Sequence, residues 1–147
     1  MKLVTIDTKL YKLFQNDKEL LRNSKRPCVI ILKLKYKEHN YDFAVPIRSN
    51  IPAAAPKNQY FALPPRATTR PKNRHGLHYI KMFPIKKQYM LKYHTEGNMA
   101  ATLYKTIIDT NTSKIVNECQ RYLNEYESGK HPRYSTDIDY LIQQLFY

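Results

Sequence analysis

Two hydrophobic periods run along this chain, and the change from one to the other divides it. Leu3, Val4 and Ile6 within Lys2–Asp7 predict a first short strand. From Thr8 to Leu21 the spacing is mixed, with Leu10, Leu13, Phe14, Leu20 and Leu21 as the inward side of a short helix or an irregular arm. The clearest strand is residues 27–36. There Val29-Ile30-Ile31-Leu32 is apolar and mostly β-branched, and Lys33-Leu34-Lys35-Tyr36 alternates strictly. Residues 37–40 form a polar four-residue turn, and residues 41–47 return as the second arm of a hairpin. Pro46 has no amide hydrogen for a ladder, which points to a bulge or strand end just before Arg48-Ser49. The stretch 50–76 contains Pro52, Pro56, Pro64, Pro65 and Pro71, which excludes helix. It predicts one short strand over 58–63 inside a long basic loop of the kind that carries function or stays disordered. Residues 77–85 read as a strand, and 86–93 as strand or helix.

After Gly97 the period becomes helical. Residues 98–108 place Met99, Thr102, Leu103, Thr106 and Ile107 on one face. Asn111 or Thr112 caps a second helix in which Ile115, Val116, Cys119, Tyr122, Leu123 and Tyr126 recur, and Gly129 closes it. Ser135-Thr136-Asp137 opens a last helix bearing Ile138, Leu141, Ile142, Leu145 and Phe146. Strands first and helices last predict the α+β class. The expectation is one domain over residues 1–147, a small twisted sheet or open barrel with helices packed on it.

Charge sharpens this outline. Residues 1–95 carry a net +15 and residues 96–147 a net −2, within a total of +13. No carboxylate lies between Asp42 and Glu96, a stretch that holds ten Lys and Arg residues and His75, His78 and His94. A solvated surface intersperses both signs, because like charges repel, so an acid-free stretch this long points to a polyanion. With 42% hydrophobic residues, the chain is too apolar for a disordered basic tail. No apolar run reaches membrane-spanning length, and the opening Met1–Asp7 lacks a secretory signal's layout. Cys28 and Cys119, far apart in sequence, suit a reducing cytoplasm better than a disulfide.

His75 and His78 have no nearby Cys or carboxylate to complete a metal tetrad, and three glycines cannot build a phosphate loop. No metal or other cofactor is expected. One chemistry suits such a surface, the cleavage of RNA by its own 2′-hydroxyl. The protein then needs only to move two protons and stabilise charge on the phosphorus. Arg48, Ser49, Lys57, Tyr60, Arg66, Arg70, Arg74, His75, His78 and Lys81 supply residue types suited to that work. Tyr36, Tyr41, Tyr60, Phe61 and Tyr79 offer rings for splayed bases, or plain packing. A non-catalytic RNA-binding module uses the same inventory, and on composition alone binding stands ahead of catalysis.

Several segments, in order, resemble the ToxN/AbiQ-type endoribonuclease toxins of type III toxin–antitoxin systems, including their CptN-like branch. They are Leu3 to Tyr11, the apolar strand Cys28 to Leu34, and Phe43-Ala44-Val45-Pro46-Ile47-Arg48-Ser49, similar to the family's A-P-L-T-S segment. Gly76 to Ile85 is similar to its G-L-I-N-L-K-F-M-I-P-I strand, and further likeness runs from Gly97 through Tyr104-Lys105 to Lys130. The resemblance implies an SH3-like small β-barrel of the Kid/MazF kind with helices added. It implies a metal-independent endoribonuclease that cuts mRNA to 2′,3′-cyclic phosphate and 5′-hydroxyl ends. It also implies inhibition by a small pseudoknotted antitoxin RNA, which the toxin itself processes. Toxin and RNA would form a closed assembly with two or three copies of each, acting in the cytoplasm and able to abort phage infection.

Residue by residue, Ser49 matches the family's active-site serine, and Arg48 stands where ToxN has Thr. Ile51 occupies a position where the family has Lys, so Lys57 or a lysine from another strand would have to substitute. Lys9 or Tyr11 matches an N-terminal Lys/Tyr element, and Tyr104-Lys105 a Tyr-Lys pair. His78 is the candidate general acid or base, or else a structural histidine. His75 reads as a loop residue that touches RNA backbone. A MazF-like toxin with a protein antitoxin is the remaining alternative.

Overall fold

Alternation along β-strands distributes this chain between two hydrophobic cores. The computed structural model describes Met1–Tyr147. Its strands are β1 (Lys2–Ile6), β2 (Cys28–Tyr36), β3 (His39–Ile51), β4 (Tyr60–Leu63), β5 (Arg74–His78), β6 (Phe83–Pro84) and β7 (Met90–Lys92). Its helices are α1 (Thr8–Leu13), α2 (Met99–Thr110), α3 (Thr112–Glu127) and α4 (Ile138–Phe146). The α+β class is as expected. The strands pair antiparallel in the order β4-β5-β3-β2-β1-β7, with β6 alongside β3. That path has two free ends, so the sheet is open and not a closed barrel. No helix is long and apolar enough to cross a membrane.

Val29 and Ile31 of β2, with Phe43, Val45 and Ile47 of β3, enter a core shared with α2, α3 and part of α4. Their neighbours Cys28, Ile30 and Ala44 enter the second core, against Leu10, Tyr11 and Phe14. α4 serves both cores, with Ile138 and Ile142 in the first and Leu141 and Leu145 in the second.

The hairpin is tighter than the sequence implies. Tyr36 pairs with His39, so the turn is only Lys37-Glu38, and both residues have positive φ, 48° and 68°. This matches a type I′ turn, whose twist suits the strands, built without glycine. The Lys37 amide donates to Glu127 Oε1 at 2.5 Å, which fixes the turn against α3. A bulge between Ile31 and Leu34 shifts the phase of β2. It brings both residues into one core and leaves Leu32, the end of the apolar run, 63% exposed, while Lys33–Tyr36 alternates as the sequence suggests.

Pro46 does not end β3. The Ile47 amide donates to Pro27 O at 3.0 Å, so position 46 faces the opposite edge. There it falls between Phe43–Ala44, paired with β6, and the stretch from Ile47 onward, paired with β5. No donor is required in that gap. The expected strand 77–85 breaks at the same place into β5, a 3-10 turn at Tyr79–Lys81, and β6. The ambiguous 86–93 segment is a 3-10 turn followed by β7.

α3 and α4 bury the residues their spacing predicts, apart from half-buried Val116 and exposed Phe146. α2 does not. Ala101, Tyr104 and Ile108 face inward, while Met99 is 89% and Leu103 49% exposed. Thr102, Thr106 and Thr110 instead donate their hydroxyls to the carbonyls of residues 98, 102 and 106. Back-bonding lets a threonine occupy an outward helical position without a tertiary partner.

Gly76 allows β4 and β5 to approach: a Cβ there would lie 2.1 Å from Phe61 O. Gly76→Ala is expected to lower stability by about 1–3 kcal/mol or more, because the obstacle is backbone and cannot rotate away. Urea unfolding of the purified variant measures this.

Candidate functional site

β3 runs past the end of its ladder with β2 and continues along β5, where Arg48 pairs with Gly76. On this extension successive side chains face opposite sides, so Arg48 and Ser49 part company. Ser49 lines a groove of about 320 Å³ together with Asn23, Lys25, Arg26, Arg66, His75, Tyr93, Asn98 and Tyr104. Arg48 lines a separate cavity of about 610 Å³ with His78 and Lys81. No residue lines both.

The groove has three cationic side chains and no carboxylate in its lining. Arg26 is presented by a turn in which its amide bonds to Asn23 O at 3.0 Å and the Lys25 amide to Asn23 Oδ1 at 3.0 Å. Its guanidinium donates to Ile47 O at 3.0 Å, two residues before Ser49, and its Nε has no partner. Partial burial lowers its pKa from the ordinary arginine value, a penalty on a half-buried cation that an anionic ligand would offset.

His75 is an ordered strand residue, 2% exposed, and not the loop contact the sequence suggested. Its Nδ1 lies 2.8 Å from Pro64 O. A carbonyl only accepts, so Nδ1 carries the proton and Nε2 is the bare nitrogen of the neutral ring. Burial pulls the imidazole pKa below 6.5, against the Pro64 hydrogen bond, and Arg66 lowers it further. Tyr104 packs edge-on beneath the ring at 4.7 Å. Arg66 and Arg70 on the adjoining loop line a further pocket with Arg74 and His75 of β5. Asn50 orders that loop: Oδ1 accepts from the Arg70 amide at 2.8 Å and from Asn73 Nδ2 at 3.2 Å, and Nδ2 donates to Thr68 O at 3.0 Å.

The other expected residues lie elsewhere. His78 accepts from Arg48 Nη1 at 3.3 Å through Nδ1, in the cavity across the sheet from Ser49. Burial, then Arg48 and Lys81, push its pKa down to about 3. It is therefore neutral near pH 7 and unsuited to act as a general acid. Lys81 is 5% exposed, and its ammonium is held by Glu19 at 3.1 Å and Tyr134 O at 2.7 Å, so its charge is already met within the protein. Tyr11 sits in the second core with an unpartnered hydroxyl; burial raises its pKa, and Arg26 is near enough to oppose that. Lys9 is exposed on α1, and Lys57 is exposed in the 3-10 turn before β4. Tyr60 is half-buried on β4, and Lys105 pairs with Asp109 at 2.8 Å. None of these lines the groove. Ile51 is fully buried, which suits its apolar side chain.

Asn23, Lys25, Arg26, Tyr93 and Asn98 are groove residues that the sequence did not single out. The available signal was the basic pair Lys25-Arg26 immediately before the apolar strand. No group of three or more His, Cys, Asp or Glu side chains converges as a metal site.

No protein-family model matches the chain, and no curated protein matches it. Solved structures do match in fold. The structure described as "A processed non-coding RNA regulates a bacterial antiviral system" has a TM-score of 0.70 and 18% identity, covering 97% of this chain and 96% of that one. A second comes from work described as "New insights into the mechanism of bacterial Type III toxin-antitoxin systems: selective toxin inhibition by a non-coding RNA pseudoknot". It has a TM-score of 0.74 and 18% identity, covering 97% and 94%. A third is AbiQ, a lactococcal anti-phage endoribonuclease belonging to the type-III toxin-antitoxin system, at TM-score 0.73 and 13% identity, covering 97% and 94%. The resemblance to ToxN/AbiQ-type proteins therefore holds for the fold along nearly the whole chain.

The His78 environment gives a pH test. The unfolded chain binds a proton at His78 below about pH 6.5, whereas the folded chain does not until about 3. Stability contributed by this site is therefore complete above pH 6.5 and is lost as pH falls toward 3. His78→Gln is expected to flatten the acid side of a stability–pH curve measured by urea unfolding. An unchanged slope would contradict the assignment.

Proposed function

We propose that this chain is a metal-independent endoribonuclease toxin restrained by a small pseudoknotted RNA. A single observation carries the reading. A carboxylate-free groove brings together a serine, a half-buried arginine and a buried neutral histidine, in a fold shared with a lactococcal endoribonuclease. In this reading Ser49 and Arg26 hold the scissile phosphate, and Arg26 takes the place of the cation missing at Ile51. His75 Nε2 accepts the 2′-hydroxyl proton. The 2′-oxygen then bonds to phosphorus as the bond to the 5′-oxygen breaks. Lys25, the only ammonium lining the groove, supplies the proton for the leaving oxygen. Arg66, with the Arg70–Arg74 loop, offsets charge on the flanking phosphates. The products are a 2′,3′-cyclic phosphate and a 5′-hydroxyl.

The substrates are mRNA and the antitoxin precursor. The processed pseudoknot stays in the basic groove as inhibitor, within a closed assembly of two or three toxins and as many RNAs. The open seven-stranded sheet is read as an opened SH3-like barrel of the Kid/MazF kind. Restraint of growth, and abortion of phage infection, follow from release of the nuclease.

Incubation of RNA-free protein with a long mRNA in EDTA tests this. Discrete cuts with cyclic-phosphate and 5′-hydroxyl ends are expected, whereas RNA that is bound but intact would favour a non-catalytic module. Ser49→Ala is expected to slow cleavage on the order of 100-fold or more while retaining antitoxin binding. Because His75 must be deprotonated and its pKa lies below 6.5, activity is expected to persist at pH 6.5 and fall at lower pH. His75→Asn should remove both the activity and that acid limb.

A further inference from the structure

The cavity across the sheet from Ser49 takes no part in the cleavage chemistry, yet it has the features of a binding site. Its volume is about 610 Å³, and Pro52, Ala55, Pro56 and Ile80 contribute apolar surface. Polar groups converge on these walls. Arg48 occupies His78 Nδ1 from one side, which leaves Nε2 carrying the hydrogen. That donor belongs to a residue only 2% exposed and has no partner in the protein. A buried donor without an acceptor is costly, and native structures rarely retain one without a reason.

A second, independent feature lies in the same lining. Tyr134 has φ +68°, a left-handed conformation that an aromatic residue seldom adopts. In it, the Tyr134 carbonyl accepts from the Lys81 ammonium at 2.7 Å while the ring stays 58% exposed. The Arg133 guanidinium lies 5.0 Å from the ring centre. The strained backbone thus holds an aromatic face in the open beside a cavity supplied with hydrogen-bond donors.

We infer that this cavity is a nucleobase subsite, in which Tyr134 stacks on an extruded base of the bound RNA and Arg48 and His78 donate to its edge. The inference rests on the RNA reading above. Adjacent donors favour a base edge bearing two acceptors, which is the O6/N7 edge of guanine. Adenine would turn an amino group toward them. Glu19, the carboxylate in the lining, is already engaged with Lys81 and does not compensate. The groove at Ser49 would therefore hold backbone at the cut, and this cavity would read a base elsewhere on the same strand.

Titration of RNA-free protein with GMP, AMP and inorganic phosphate, followed by amide NMR, tests the subsite. GMP is expected to bind about tenfold more tightly than AMP or phosphate. Tyr134→Ala is expected to weaken GMP by a similar factor through lost stacking. Ala55→Trp fills the cavity without removing a buried polar group and should abolish binding. Equal binding of the three ligands, or unchanged GMP affinity in both variants, would overturn the subsite and leave the nuclease reading standing. Selective GMP binding by a protein that cuts no RNA would keep the subsite and remove the nuclease.

Discussion

The two-residue period of β3 is the constraint on which the rest of this molecule depends. Over 13 residues it sends alternate side chains to opposite faces of one sheet. In its first half this feeds two separate hydrophobic cores. In its second half, where β5 replaces β2 as neighbour, it sends Ser49 to one side and Arg48 to the other. Asn50, next in line, holds the basic loop. One strand therefore organises the packing, the groove, the opposite cavity and the loop that flanks the groove.

Electrostatics divides along the same lines. The cations that line the groove are not paired off within it. The ion pairs lie elsewhere, at Lys37–Asp139, Lys81–Glu19, Lys105–Asp109 and the N-terminus with Asp109. Holding Arg26, Lys25 and Arg66 together without a carboxylate costs folding energy, which a bound polyanion would offset. The two histidines differ because their partners differ. A carbonyl on His75 fixes a bare Nε2, whereas a guanidinium on His78 turns that ring into a neutral donor.

Much of this was legible in the chain. The hairpin, the class, and the buried faces of α3 and α4 followed from spacing, because those elements are regular and one-sided. Other features depended on tertiary contacts that no local pattern encodes. The Ile31–Leu34 bulge adds one residue and reverses the phase of everything after it. α2 is turned so that Tyr104 reaches His75, which leaves apolar Met99 and Leu103 outside. Within the site, Ser49 was identified through a resemblance, while Arg48 was grouped with it because adjacency in sequence hides opposite facing in a strand. His75 rather than His78 lies beside Ser49, because the fold and hydrogen-bond partners, not sequence spacing, decide which imidazole faces the groove. Arg26 was hidden within the overall charge, because its importance comes from where the turn before β2 delivers it.

The central claim is that the scissile phosphate sits on the Ser49 face of β3 and not on the Arg48 face. A crystal structure with RNA blocked by 2′-O-methylation at its cut site tests it most directly. The account predicts a phosphate about 3 Å from Ser49 Oγ and the Arg26 guanidinium, with His75 Nε2 facing the modified 2′-oxygen. A cut-site phosphate seated instead between Arg48 and His78, with the Ser49 groove empty, would contradict it.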